Sequence, residues 1–256
     1  MPLDFKPMLA HDYHKHKAKI QFPCHAQPKI DGIRCIVKVQ DGIAKLYSRT
    51  GKAINSLPKF CDYFIGTGIL DGELHLKSGT FEELCSIVNR NTEHIDSNKV
   101  VYTVFDRSLS QTADIKACAY NKNVYLITCV PVFAEEDVLI LHKIFVEEGH
   151  EGTMIRNFDK PYEHKRSFNL QKLKDFYEDE YEIVDVIEGK GKLTGCLGAV
   201  VCKGGFKVKL ALPELTLKEY WERGGLIGKL LTVKYQNLTK QGKPRFPIGK
   251  IVRDYE

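Results

Sequence analysis

The sequence predicts an α+β protein in two parts: a mixed α/β domain over residues 1–176 and a small β-barrel domain over residues 177–256. Three observations predict it. A chain of 256 residues with 43% hydrophobic content can bury one larger and one smaller core. Up to Phe176, strand-like segments alternate with two helix-like ones. From Tyr177 onward the pattern becomes short strands separated by tight turns, with a single helix among them.

The elements of the first domain follow in order. Ala18 to Phe22 alternates in a strand-like way, as does Ile36 to Val39, and Asp41-Gly42 supplies a hairpin turn into "IAKLYSRTGKAI". "GILDGELHL" reads as a further strand. "GTFEELCSIVNRN" opens with a capping box, Thr80 as N-cap and Glu83 three residues on, and places Phe81, Leu84 and Ile87 on one helical face. "KVVYTVFD" is rich in β-formers, and "EEDVLILHKIFVEEGH" has helical apolar spacing before a glycine stop.

In the second domain "YEIVDVIEG", "CLGAVVCK", "FKVKLA" and "LLTVKYQNL" are the strands, with Gly204-Gly205 turning between the second and third. "TLKEYWERGG" is the helix, with a capping box expected at Thr216 and Glu219. This order fits a barrel of the oligonucleotide-binding type, with a small SH3-like barrel as the alternative.

Composition excludes several function classes. The eight cysteines, at 24, 35, 61, 85, 118, 129, 196 and 202, lack both zinc-site spacing and the density of a disulfide scaffold, so reduced and mostly buried thiols are expected. No apolar run approaches membrane-spanning length and the N-terminus has no signal-peptide core, so we expect a soluble, cytoplasmic protein. The net charge of +5 is unevenly placed. Tyr177 to Glu188 carries six acids and no Lys or Arg, whereas 189–256 holds fourteen Lys and Arg against five Asp and Glu. A polyanion suits that second stretch, as does an ordinary solvated basic surface.

The chemistry concentrates first in "KIDGIR", 29–34. A lysine amine forms a covalent intermediate only when unprotonated, so a reactive Lys29 needs burial or a neighbouring cation, and Arg34 supplies one. Gly32 lets the chain turn tightly, leaving room for a ligand to approach the backbone.

Further segments occur in a telling order: "SRTGK" (48–52), "DGEL" (71–74), "VFDR" (104–107), "EGTMIR" (151–156) and "LQKLKDF" (170–176). With "KIDGIR" they resemble motifs I, Ia, III, IIIa, IV and V of the covalent nucleotidyltransferase superfamily, and the chain is similar to minimal ATP-dependent DNA ligases of viral or phage type. The resemblance spans nearly the whole chain. It implies a nucleotidyltransferase (ATP-grasp-like) domain followed by an OB-fold barrel. It also implies ATP as co-substrate with Mg²⁺ or Mn²⁺, and a monomer acting on nicked double-stranded DNA.

Carried over by position, the resemblance implies that Lys29 becomes adenylated, that Arg34 and Glu73 meet the ribose, and that Phe105 stacks on the adenine. Lys172 and Lys174 would converge on a phosphate from one strand face. Glu151, with Glu73, would hold the divalent metal. Arg49 would clamp the 5′-phosphate of the nick and Asp31 would assist the 3′-hydroxyl. Each residue also has a plain structural reading, Asp71-Gly72 as a turn, Phe105 as a core aromatic, Lys172 and Lys174 as a solvated face, but such readings do not predict the shared order. His11, His14 and His16 read as a solvated lead-in, and Trp221 as a core residue of its helix.

The C-terminal "PRFPIGKIVRDYE" matches the family's last motif only at Arg253 and Asp254, since Tyr255 stands where a lysine is customary. Arg253 is expected to serve the step with ATP. No DNA-binding domain is expected ahead of Lys29, and only "KGKLTG" (190–195) stands where some viral ligases carry a DNA-encircling latch, so nick binding is expected to rest on closure of the two domains and the basic barrel. Within the superfamily, an mRNA capping guanylyltransferase using GTP and an RNA ligase are the alternatives. Outside it, a catalytically inactive nucleic-acid-binding module is the alternative.

Overall fold

The computed structural model describes residues 3, 5–107, 116–117, 122–239 and 241–253, so Asp254, Tyr255 and Cys118 lie outside the described residues. The chain divides into two compact units, Met1–Leu173 and Lys174–Glu256, three residues earlier than the expected division after Phe176.

The first unit contains two five-stranded sheets. The strands are β1 (Leu9–Asp12), β2 (Cys24–Lys29), β3 (Ile33–Gln40), β4 (Ile43–Ser48), β5 (Phe64–Ile65), β6 (Gly68–Leu76), β7 (Val100–Arg107), β8 (Lys116–Ala117), β9 (Val124–Leu126), β10 (Val130–Val132), β11 (Gly152–Asn157) and β12 (Arg166–Leu173). One sheet runs β1-β12-β11-β2-β10 and the other β4-β3-β6-β7-β9, while β5 and β8 form a separate pair. The helices are α1 (Tyr13–His16), α2 (Phe81–Val88) and α3 (Glu135–Glu147).

Local chemistry explains several of these elements. Asp41 and Gly42, both at positive φ, turn β3 into β4, the backbone that an Asp-Gly hairpin favours. At α2 the capping box is present: the Glu83 amide donates to Thr80 Oγ1 at 3.2 Å and the Thr80 amide to Glu83 Oε2 at 2.7 Å. At α3 the Asp137 carboxylate accepts from the amides of Phe133 and Ala134, satisfying donors that the helix start leaves open. The expected strand over Ala18–Phe22 is not formed. Lys17–Lys19 is a short 3₁₀ turn after α1 instead, because Asp12 caps α1 by accepting from the Lys15 amide. Earlier in the lead-in, His11 of β1 stacks on Phe168.

Each sheet buries one face against a helix. Cys24, Ala26 and Ile155 pack with Val138 of α3, and Cys35, Val37, Leu74 and Val104 pack with Leu84, Ile87 and Val88 of α2. Because side chains alternate across a strand, Gln27 and Lys29 on β2, Arg34 on β3 and Glu73 on β6 point away from these helices. Two polar links join the opposite faces: Arg156 of β11 donates to Asp106 of β7 at 3.1 and 2.6 Å, and Tyr162, beyond β11, reaches Asp71 of β6.

The second unit holds β13 (Tyr177–Glu188), β14 (Leu197–Cys202), β15 (Phe206–Leu210), α4 (Glu214–Arg223), β16 (Leu230–Tyr235) and β17 (Ile248–Arg253). They close a barrel in the order β13-β14-β15-β17-β16, filled by Ile183, Leu197, Val200, Val208, Leu231 and Val233. Trp221 of α4 packs against this core. The helix starts two residues before the expected Thr216, with Pro213 as its N-cap and no side-chain cap. Pro213 is extended at this cap position, with φ −57° and ψ 150°, and has no amide to leave unpaired there. Among the described cysteines Cys24, Cys35, Cys196 and Cys202 are buried and Cys129 is exposed. Among the described residues, no helix is long and apolar enough to cross a membrane.

Candidate active site

Lys29 closes β2, directly across the ladder from Gly152 of β11. That register brings Glu151 against it twice: the Glu151 amide donates to the Lys29 carbonyl at 2.9 Å, and Lys29 Nζ donates to Glu151 Oε2. Lys29 therefore faces a carboxylate. The expected cation partner, Arg34, is bound elsewhere, its Nε donating to Asp71 Oδ1 at 2.8 Å and its Nη2 to Asp71 Oδ2. A guanidinium held by a fully buried carboxylate is not an unscreened neighbour that would push a proton off the lysine.

Arg34 stands opposite Glu73 in the β3–β6 ladder. Burial pushes the Glu73 carboxyl up to about 7, with Lys29 and Arg34 pulling it down and Asp71 and Glu151 adding to the rise. Glu73, Lys29, Arg34 and Glu151 thus share one electrostatic site. Phe105 joins them through an irregularity. The β6–β7 register jumps from Gly72↔Val104 to Asp71↔Asp106, leaving Phe105 as the extra residue of a bulge, a device that re-aims a side chain. Its ring lies 5.0 Å from the Arg34 guanidinium carbon, within cation–π range.

Gly32 has a different role from the one its sequence suggests. A Cβ there would stand 2.2 Å from the Leu74 carbonyl oxygen and 2.7 Å from Glu73 Cγ. The room the glycine makes is filled by β6 and by Glu73 itself, so the residue brings the Lys29 turn down onto the second sheet. Asp31, beside it, lines a cleft of about 270 Å³ together with Ile30, His75, Lys77, Thr80 and His150.

The remaining expected residues lie in different places. Lys172 on β12 is paired with Met154, which is paired with Gln27, so it shares the sheet face of Lys29, two strands away. Lys174 falls past the end of β12, in the second unit, and its Nζ donates to Gln236 Oε1 at 3.3 Å. The two lysines are not a same-face pair on one strand, because β12 ends at Leu173. Arg49 is exposed in the turn after β4. Arg253 ends β17, where its Nε donates to Glu180 Oε1 and Thr232 Oγ1, both at 3.0 Å.

Four residues that sequence reasoning left without a role belong to this region. Asp71 was readable only as a turn, yet it is the carboxylate that holds Arg34. Arg156 and Asp106 stood inside the recognised segments, but their pairing across 50 residues has no local signal. Tyr162 had none. Among the described residues no three His, Cys, Asp or Glu side chains gather as a ready metal site. Glu73 and Glu151 repel one another within one site, and two such carboxylates suit a hard cation whose other ligands are substrate phosphates and water.

Such a site can present a lysine amine to an electrophile between two carboxylates, beside an aromatic ring and a fixed guanidinium. Comparison with known proteins shows the family of the chain. Residues 188–253 match the DNA ligase OB-like domain. A DNA ligase of Haemophilus influenzae is 29% identical over 230 residues, covering 85% of this chain and 82% of that protein. A DNA ligase of African swine fever virus is 30% identical over 263 residues, covering 85% of this chain and 60% of the viral one. A solved Lig E DNA ligase superposes with a TM-score of 0.80 at 24% identity, covering 98% of this chain and all of that one, a likeness of fold. Residues 7–174 match the ATP dependent DNA ligase domain, and with two thirds of its length in that match the chain belongs to the ATP-dependent DNA ligases, enzymes that use ATP to join DNA.

Proposed function

We propose that the protein seals nicks carrying a 5′-phosphate and a 3′-hydroxyl in duplex DNA through an adenylate carried on Lys29. The observation that supports this most is the double engagement of Lys29 by Glu151, main chain to main chain and side chain to side chain, which aims the amine at one place. In the first step Lys29 Nζ, having given up its proton, attacks the α-phosphorus of ATP. The N–P bond forms as the bond to pyrophosphate breaks. AMP then passes to the 5′-phosphate, and the 3′-hydroxyl displaces it.

The other roles follow from position and chemistry. Phe105 offers a ring face to the adenine, while Arg34 and Glu73 meet the ribose. Lys172 and Lys174 neutralise phosphate charge, the main task in phosphoryl transfer. Glu73 and Glu151 would hold Mg²⁺ or Mn²⁺, which supplies charge neutralisation at the phosphates when bound. Arg49 takes the 5′-phosphate and Asp31 orients the 3′-hydroxyl. Arg253 serves the step with ATP, exchanging Glu180 for phosphate. Residues 1–176 act as the adenylation domain, and the basic surface of residues 177–256 contacts the DNA backbone. The protein works as a soluble cytoplasmic monomer.

Intact-mass measurement after incubation with Mg²⁺ and either ATP or GTP tests the first step. The expected result is a gain of one AMP from ATP, absent in Lys29→Ala. A GMP adduct would assign the protein to cap formation, and no adduct after removal of carried-over AMP would refute lysine catalysis. A gel with a nicked duplex then tests sealing, with an RNA nick as the comparison.

A further inference from the structure

We propose that Tyr162 is a positioning residue for the nucleotide, acting through Asp71 on Arg34. The argument begins with Asp71, a carboxylate with no exposure to solvent. A buried charge needs its oxygens satisfied. Arg34 supplies two donors, and the Tyr162 hydroxyl supplies a third to Oδ2 at 2.6 Å. The guanidinium alone would leave the carboxylate free to tilt about its own plane. The phenol, arriving from a segment 91 residues away, fixes that tilt and with it the plane of the guanidinium beside Phe105.

Tyr162 is itself held from several sides. Its oxygen accepts from the Met8 amide at 2.7 Å, so it donates to Asp71 while receiving from the main chain. Its ring lies 5.9 Å from that of Phe5 and 5.2 Å from that of His164, and the Phe5 and His164 rings meet edge-on at 5.0 Å. His164 Nδ1 stands 3.0 Å from the Lys6 carbonyl. The segment from Phe5 to Met8 thus closes over the tyrosine. Burial and the Asp71 charge both hold the phenol protonated, so the hydroxyl stays a donor throughout the ordinary pH range. Its hydroxyl bonds to Asp71 and the Met8 amide, so the path to the nucleotide runs through Asp71 to Arg34.

The inference rests on the proposed contact of Arg34 with the nucleotide, and the test separates the two. Lysine adenylation is followed in single turnovers against ATP concentration for the native protein, Tyr162→Phe, Arg34→Gln and the double variant, with thermal melting as the check on folding. Tyr162→Phe is expected to raise the half-saturating ATP concentration about tenfold, the size of a lost hydrogen bond to a charged group. The rate at saturating ATP is expected to change less than about threefold, because the amine and its partner are untouched. In the Arg34→Gln background the same change should add less than about twofold, since residues acting through one another are not additive. An unchanged half-saturation in Tyr162→Phe, or an equal tenfold rise in both backgrounds, would overturn the positioning role. Failure of the native protein to form any adduct would strike the proposed function instead. Should Tyr162→Phe not fold, Phe5→Leu keeps the hydroxyl but loosens its ring. A smaller rise in half-saturation supports the role, and no change overturns it.

Discussion

Lys29 and Glu151 are joined at two levels, the Glu151 amide to the Lys29 carbonyl at 2.9 Å and the Lys29 amine to the Glu151 carboxylate. The first bond belongs to the start of the β2–β11 ladder, so strand pairing itself delivers the carboxylate to the amine. The side-chain pair is largely shielded from solvent, 20% exposed at the lysine and 8% at the glutamate, where charge-assisted hydrogen bonds are strong. Glu151→Gln keeps the shape and the ladder but removes the charge. Adenylation of Lys29 is expected to slow on the order of a hundredfold, while the melting temperature changes little. A rate within about threefold of native, measured by incorporation of labelled AMP, would remove Glu151 from the chemistry.

Glu73 carries a pH dependence whose sign can be worked out. Its carboxyl titrates near 7 in the folded protein against an ordinary value of 4.5, chiefly because burial disfavours the charge. Between those values the folded chain holds a proton that the unfolded chain has released. The stability this contributes is therefore present at low pH and lost as pH rises through about 7. Glu73→Gln, neutral throughout, should flatten this part of the stability profile between pH 5 and 7.5. Denaturant unfolding at several pH values measures it, and identical slopes for native and variant would contradict the shift.

Asp106 and Arg156 tie the two sheets of the first unit together. The pair is mostly buried, and Arg156 Nε is already without a hydrogen-bond partner. Asp106→Ala would leave the guanidinium without its carboxylate. A loss of about 2 kcal/mol is expected, seen as a melting temperature lower by roughly 4–8 °C. A variant that melts with the native protein would show that the ion pair adds nothing to stability.

Gly32→Ala tests close approach. The new methyl would need the Leu74 carbonyl and the Glu73 side chain to withdraw, and a strand backbone in a sheet yields little. Destabilisation of about 1–3 kcal/mol is expected, together with slower adenylation because Glu73 and the Lys29 turn move apart. Unchanged stability and rate would show that the turn is free to relax. By contrast Gly42→Ala, at an exposed hairpin with nothing near the added methyl, should leave adenylation unchanged and affect only stability, through its positive φ.

What could be read from the sequence was chemistry confined to a few neighbours. Thr80 and Glu83 cap α2 from three residues apart, Asp41-Gly42 turns a hairpin by its own backbone preference, and the order of segments around Lys29 pointed to the ligase family. The short strands, tight turns and single helix after Tyr177 sufficed for a small barrel, because turn residues and β-formers mark strands within a few neighbours. Where local signals misled, a partner distant in sequence or a stronger neighbour decided: Pro213 took the cap position of α4 ahead of Thr216, and Leu173 ended the strand before Lys174 could share it. The site itself was legible as a list of residues and not as a set of pairs. Glu151 lies 122 residues from Lys29, Tyr162 91 from Asp71, and Arg156 50 from Asp106. No periodicity links such positions: the pairing of β2 with β11 brings Glu151 to Lys29, and the closing of the two sheets makes the other two pairs. The residues proposed for the chemistry can be read along the chain, whereas the charge that each one faces comes from folding, because a lysine or carboxylate acquires its partner only where the folded chain removes the water between them.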